Sequence, residues 1–138
     1  VALDAWPCLA IVPAVTRRGW ACEVERWLTG VLGPSDVHIV YDQFDALDPS
    51  RPIPKLVIIS PKMADRTHQH RNLLARAWGS AILDEAHVLA TAAVRQDAEQ
   101  TTSLMALLQS VPRRLLLTGT PVENNPAELL TLLSFVAP

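Results

Sequence analysis

Short apolar runs alternate with longer stretches of helical periodicity along this chain. Cys8 to Val12, Val37 to Tyr41, Lys55 to Ile59, Ser80 to Leu83 and Arg114 to Leu117 are rich in Val, Ile and Leu and too short for helices. That is the signature of strands buried on both faces of a parallel sheet, except that Val37 to Tyr41 shows partial alternation. Between them, Trp20, Val24, Trp27, Leu28 and Val31 recur at helical spacing and predict a helix over 16–32, with the two tryptophans read as core or interdomain packing. Gly33-Pro34 ends that helix. Ser60 and Pro61 stand at the cap and first position of a second helix, over 61–78, and Gly79 marks the turn into the next strand. Leu104, Leu107, Leu108 and Val111 predict a third over 102–111. The last helix, over 126–136, has Asn125 as its cap, Pro126 at its first position, and Leu129, Leu130, Leu133 and Val136 as its expected buried side. The segment 42–54, with Pro49, Pro52 and Pro54, reads as an exposed loop. Strands alternating with helices make an α/β sandwich with right-handed crossovers.

Composition narrows the class. A chain of 138 residues, 49% apolar and 19% charged, is one globular domain with enough length for a sizeable core. No apolar stretch approaches the roughly 18 residues of a membrane span, so no membrane association is expected. The net charge of -2 argues against a general polyanion-binding surface. A narrow phosphate track remains open, because ten of the twelve basic residues are arginines. Arg17 and Arg18 fall at a strand-to-helix turn and read as solvated charge or as a DNA contact. Cys8 and Cys22 have no paired framework and read as reduced core or boundary residues. His68 and His70 flank Gln69, but on a helix their side chains diverge by about 200°, and that stretch reads as a solvated face rather than a metal site. The chain begins with Val1, which leads us to expect a piece of a longer protein and gives missing targeting signals little weight.

The candidate chemistry lies where two of the apolar runs end. Ser80-Ala81-Ile82-Leu83 delivers Asp84-Glu85-Ala86-His87 at what would be the carboxyl edge of a parallel sheet, the edge that faces a ligand crevice. Of two adjacent carboxylates there, Asp84 can hold Mg²⁺ through water while Glu85 orients or deprotonates a water attacking a nucleotide's terminal phosphate. Asp84 as an ordinary helix cap, with Glu85 in the first turn, is the plain alternative. The second run, Arg114 to Leu117, ends in Thr118-Gly119-Thr120-Pro121, a turn of small hydroxyl residues whose amides and hydroxyls can meet a phosphate or the neighbouring acids. A strand-helix connection without chemistry is the alternative there.

Together, Asp84 to His87 and Leu117 to Pro121 with Asn124-Asn125 and Glu128-Leu129 resemble motifs II and III of the Swi/Snf-type DNA-dependent ATPases of helicase superfamily two. Trp6 to Pro13, then Trp20, Glu23, Glu25 and Trp27-Leu28, is similar to motif Ia and its helix, and Val57 to Ser60 falls where motif Ib is expected. Trp6-Pro7 and Pro126 to Leu129 lean towards the annealing-helicase branch; Asn124-Asn125 leans towards chromatin remodellers.

The resemblance implies a three-layer, parallel-sheet RecA-like lobe of the P-loop NTPase class, incomplete at its N-terminus, with motifs Ia, Ib, II and III within 1–138. It implies ATP and Mg²⁺ as cofactors, with Asp84 positioning the metal, Glu85 activating water, and His87 linking that site to Thr118, Gly119 and Thr120. Pro13, Ser60, Thr120, Pro121 and Asn124 are the implied DNA-facing residues. The implied partners are double-stranded or branched DNA, held through its phosphates, and a second RecA-like lobe of the same protein. The implied location is nuclear in a eukaryote and cytoplasmic otherwise. In the family a basic residue and an asparagine commonly follow motif II in a loop bordering DNA, whereas here Val88 to Arg95 follows. No Gly-x-x-x-x-Gly-Lys-Ser/Thr loop occurs in the sequence. The chain alone is therefore expected to hydrolyse no ATP while its parent protein does. A degenerate lobe that docks DNA or protein without turnover is the alternative function. An unrelated α/β domain such as a flavodoxin-like fold would explain the sheet but neither motif pair.

Overall fold

The computed structural model describes residues 5–45, 47–48, 50–95, 98–121 and 125–136, with the side chains of 67, 92–95 and 98–101 left aside. Strands β1 (Cys8–Ile11), β2 (Val37–Ile39), β3 (Leu56–Ile59), β4 (Ser80–Leu83) and β5 (Arg114–Leu116) form one sheet in the order β2-β3-β1-β4-β5. Every pairing is parallel. Helices α1 (Arg17–Trp27), α2 (Pro61–Ala64), α3 (Thr67–Leu74), α4 (His87–Arg95), α5 (Ala98–Gln109) and α6 (Ala127–Val136) cover its two faces. This is the α/β, parallel-sheet architecture expected from the alternation of runs.

Both faces of the central strands are buried, which is why those strands read as unbroken apolar runs rather than as alternating ones. Leu9, Ile11, Val57, Ile59, Ala81 and Leu83 point into a large cluster with Leu73, Trp78, Leu104, Leu107, Leu108 and Phe135. Cys8, Ala10, Val12, Leu56 and Ile58 point the other way, under Trp20, Ala21 and Val24 of α1. Alternation along β1 thus assigns successive residues to opposite layers.

Several local expectations change. The helix expected over 61–78 is two helices, because Arg66 is extended at φ -59° and ψ 127°. In an unbroken helix Ala64 and Leu73 would lie about 180° apart; the break rephases the chain so that both are fully buried. Gln69, read as part of a solvated face, is buried instead, 2% exposed. Helix α1 ends at Trp27, and the chain turns through Gly30 at φ +85°. Trp27 is 71% exposed, so only Trp20 of that pair packs on the core. Cys8 is buried, but Cys22 is exposed rather than a core or boundary residue. Val88 to Arg95 is helical, not a loop, with Leu89 and Ala90 buried.

The last helix also turns differently. It buries Glu128, Leu132 and Phe135 and leaves Leu129, Leu130, Leu133 and Val136 exposed. Apolar residues occupy nearly its whole circumference, so periodicity could not say which stripe faces the sheet. Glu128, accepting a hydrogen bond from Thr91 Oγ1 at 3.1 Å, fixes the orientation by joining α6 to α4.

Candidate functional site

Register brings the candidate residues to one edge. Ile11 of β1 pairs with Ile59 of β3 on one side and with Leu83 of β4 on the other, and Leu83 pairs with Leu116 of β5. The residues that follow these positions, Pro13, Ser60, Asp84 and Thr118, therefore leave the sheet at the same carboxyl end. Backbone bonds continue the ladder there: Val12 N donates to Ile59 O at 2.9 Å, Asp84 N to Ile11 O at 2.9 Å, and Leu117 N to Leu83 O at 2.8 Å. Ala86 N then donates to Leu117 O at 2.9 Å, which ties the turn after β4 to the turn after β5.

The turn after β4 is unusual. Glu85 has φ +53°, a left-handed conformation that a non-glycine residue adopts at a cost. Asp84 Oδ1 accepts from the Glu85 amide at 3.0 Å, a local bond that offsets part of the strain. The left-handed turn lets α4 begin at His87. His87 Nδ1 lies 3.0 Å from Thr118 Oγ1 and 3.3 Å from Glu85 Oε2. The imidazole tautomer sets which partner donates. Thr118 Oγ1 in turn accepts from the Thr120 amide at 3.2 Å. One cluster therefore holds the acid and the histidine after β4 and the hydroxyl and amide after β5. Glu85 remains about half-exposed, with 49% of its side chain open to solvent, so its free oxygen is accessible to a ligand or water.

Asp84 has a further partner that no sequence pattern announced. Trp20 Nε1 of α1 donates to Asp84 Oδ2 at 3.1 Å. Helical periodicity placed Trp20 on the packed side of α1 but could not show that its indole nitrogen meets β4. That follows only from the adjacency of β1 and β4, two strands about 70 residues apart in sequence.

Gly119 has open space where a Cβ would stand and no left-handed φ, so the turn it occupies does not itself demand glycine. Ser60 is buried and occupies the cap position of α2, but its side chain makes no capping bond. Its carbonyl accepts from Met63 N at 3.0 Å and Ala64 N at 2.9 Å. Ser60 also borders a cavity of about 420 Å³ with Arg17, Tyr41, Gln43, Lys62 and Arg66. Arg17 is not a solvated charge: it donates to the carbonyls of Val40, Tyr41 and Ala14 and stacks 5.2 Å from the Tyr41 ring. Lys62 and Arg66 are the more open cations of that cavity. Pro13 is half-buried and its carbonyl accepts from Thr16. Thr120 and Pro121 are exposed at the end of the β5 turn, while Asn124 lies outside the described residues. Asn125 caps α6, its Oδ1 accepting from Ala127 N at 2.9 Å.

The donor set is all oxygen, the kind that suits a hard divalent cation. Among the described residues, Asp84 and Glu85 are the carboxylates of this cluster, and no group of three or more His, Cys, Asp or Glu side chains is placed to hold an ion. Two carboxylates fit Mg²⁺, which keeps several waters and takes other ligands from substrate phosphates.

Comparisons with known proteins agree on one family. The family model for the SNF2-related domain matches residues 4–138. The chain is 34% identical over 137 residues to the chromatin structure-remodeling complex subunit snf21 of Schizosaccharomyces pombe, covering 96% of the chain and 10% of that protein. It is 26% identical over 135 residues to the human DNA annealing helicase and endonuclease ZRANB3, covering 98% of the chain and 12% of the relative. Among solved structures it is similar to the Sulfolobus solfataricus SWI2/SNF2 ATPase core in complex with dsDNA, with a TM-score of 0.70, 17% identity, and coverage of 97% of this chain and 25% of that one. The chain thus spans about a tenth of the length of these curated relatives.

Proposed function

The chain belongs to the SNF2-related domain family, and from that premise we propose that it forms part of the first RecA-like lobe of a DNA-dependent ATPase of helicase superfamily two. The observation that carries the proposal is the cluster joining Glu85, His87 and Thr118 beside Asp84 at the carboxyl edge of the sheet. An acid pair there needs no partner on the next strand for capping alone. A histidine spanning both turns makes sense if hydrolysis at one must be felt at the other.

In this reading Asp84-Glu85-Ala86-His87 is a DEAH box. Bound Mg²⁺ would neutralise charge on the nucleotide phosphates, and Asp84 would hold it through water. Glu85 orients a water and accepts its proton as the oxygen bonds to the terminal phosphorus and ADP leaves. His87 holds the Glu85 carboxylate against Thr118, so that a change at the phosphate reaches Thr118, Gly119, Thr120 and Pro121. Those residues, with Pro13, Ser60 and Asn124, would face DNA, contacting phosphates and therefore binding in a salt-sensitive manner. Closure of a second lobe over this edge would couple turnover to movement along DNA, in remodelling or strand annealing, within a nucleus if the source is eukaryotic.

Residues 1–138 would be an incomplete lobe that does not hydrolyse ATP alone. Two features support this. Among the described residues β5 pairs only with β4, leaving Leu115 53% exposed at an open edge. Helix α6, packed against β5, presents Leu130 at 68% and Leu133 at 49% exposure. A further strand and helix carrying the phosphate-binding loop would cover such surfaces. A second reading, a degenerate lobe that docks without hydrolysing, is favoured by the missing basic residue and asparagine after His87.

Reading the coding sequence for about 60 codons ahead of Val1, enough for one β-loop-α unit, tests the choice. A Gly-rich loop ending in Lys-Ser or Lys-Thr is expected. A complete reading frame without one would favour docking without turnover.

A further inference from the structure

Asp84 is held from two sides. Its Oδ1 accepts from the Glu85 amide at 3.0 Å and its Oδ2 from the Trp20 indole N–H at 3.1 Å. The first bond comes from the adjacent residue and moves with Asp84. The second comes from α1, whose ring is anchored in the cluster of Cys8, Ala10, Val12 and Ile58 on the opposite face from α2 to α6. Of the two, only Trp20 ties the carboxylate to a separate rigid element. Each carboxylate oxygen can accept a second bond, so these contacts orient the group without exhausting it.

Packing alone does not account for the residue. A purely apolar ring could cover the same ground; what the indole adds is a donor, and that donor meets Asp84. We propose that Trp20 is a positioning residue for Asp84: its N–H fixes the carboxylate in the orientation that receives the divalent cation. Rotation of α1 would therefore change metal affinity. The inference rests on the reading of Asp84 as the metal residue.

The test uses the full-length protein carrying this chain, Mn²⁺ as a paramagnetic probe for an oxygen-ligand site, and selectively ¹⁵N-labelled spectra that resolve the Glu85 amide and the indoles of Trp6, Trp20, Trp27 and Trp78. Trp78, whose buried indole donates to Leu73 O at 2.8 Å, reports the fold. The Trp20 indole proton should move in Asp84→Ala while the Trp78 signal stays. Mn²⁺ should broaden the Glu85 amide in the unmodified chain and not in Asp84→Ala. Trp20→Phe should raise the Mn²⁺ concentration for half-broadening about tenfold, the scale on which loss of an outer-shell partner weakens a metal site. An unchanged midpoint with Trp78 intact would overturn the positioning role and leave the metal reading standing. Absence of Asp84-dependent broadening in the unmodified chain would overturn the metal reading, and this inference with it. If Trp20→Phe disturbs the Trp78 signal, replacing the Trp20 indole by benzothiophene removes the donor and keeps the ring, and the same two outcomes decide.

Discussion

Two glycines should answer the same substitution in opposite ways. Gly79 precedes β4, and a Cβ built there would lie 2.7 Å from Trp6 O, 2.8 Å from Ala5 C and 2.9 Å from Ala5 O. All three are backbone atoms, so no flexible side chain can swing aside. They are also fixed, because Gly79 N donates to Pro7 O at 2.9 Å and Ser80 Oγ to Ala5 O at 2.7 Å. Gly79→Ala must displace one strand entry against the other, an overpacking that costs about 1–3 kcal/mol. The gain from a less flexible unfolded chain returns about 0.4–1 kcal/mol, leaving a net loss of roughly 1–2 kcal/mol. At a urea slope of about 1.5 kcal/mol per molar, the unfolding midpoint should fall by about 1 M. Gly119→Ala meets nothing within 4 Å and needs no left-handed backbone, so only the gain of about 0.4–1 kcal/mol remains and its midpoint should rise by about 0.3–0.7 M. Urea titration followed by circular dichroism reads both. Equal shifts in the two variants would refute the close approach at Gly79.

Helix α6 supplies a second pair: Leu132→Ala, at a site 6% exposed, should cost about 2–5 kcal/mol, whereas Leu130→Ala, at 68%, should cost less than about 0.5 kcal/mol. Denaturant midpoints of the two variants check which stripe faces the sheet. Burial pushes the Cys8 thiol above its ordinary value of 9.0, partly opposed by a hydrogen bond with Ser80. The folded state then keeps the proton that the unfolded chain releases, so stability holds below that value and falls as pH rises through the raised one. Cys8→Ala should remove this part of the alkaline loss in denaturation series across the range. At neutral pH, iodoacetamide should label exposed Cys22 and spare Cys8 until the chain unfolds, as mass spectrometry of the native protein would show.

The sheet was legible because its central strands are buried on both faces and so leave uninterrupted apolar runs at β1 and β3. The edge strand β2 is shorter than its run, ending at Ile39, although Val40 still donates to Ile58 O at 2.9 Å. Asp84, Glu85 and His87 stood out because they form one four-residue string at the end of a buried run and a second such run ends in Thr118-Gly119-Thr120-Pro121; the acid pair alone reads equally as a helix cap. Trp20 was visible as an apolar position and invisible as a donor, since the contact depends on which strands are neighbours. The partners of Arg17 were hidden for a similar reason: its acceptors Val40 and Tyr41 lie on another segment, 23 and 24 residues away. The face of α6 was hidden by a surplus of leucines, and the break at Arg66 by the absence of any proline or glycine there. Periodicity locates elements; it carries no information about phase when both sides of a helix are apolar.

The proposed role of Glu85 is that of the base at an ATP-hydrolysing site of the full-length protein. The most direct measurement is DNA-stimulated ATP hydrolysis by the full-length protein carrying this chain, unmodified and as Glu85→Gln, alongside nucleotide binding by both. The account predicts turnover that rises with duplex DNA, a loss of about 10²–10⁴-fold in the variant, as removal of a general base costs, and retained ATP binding. Turnover that survives Glu85→Gln, or a full-length protein that binds DNA without hydrolysing ATP, would contradict it.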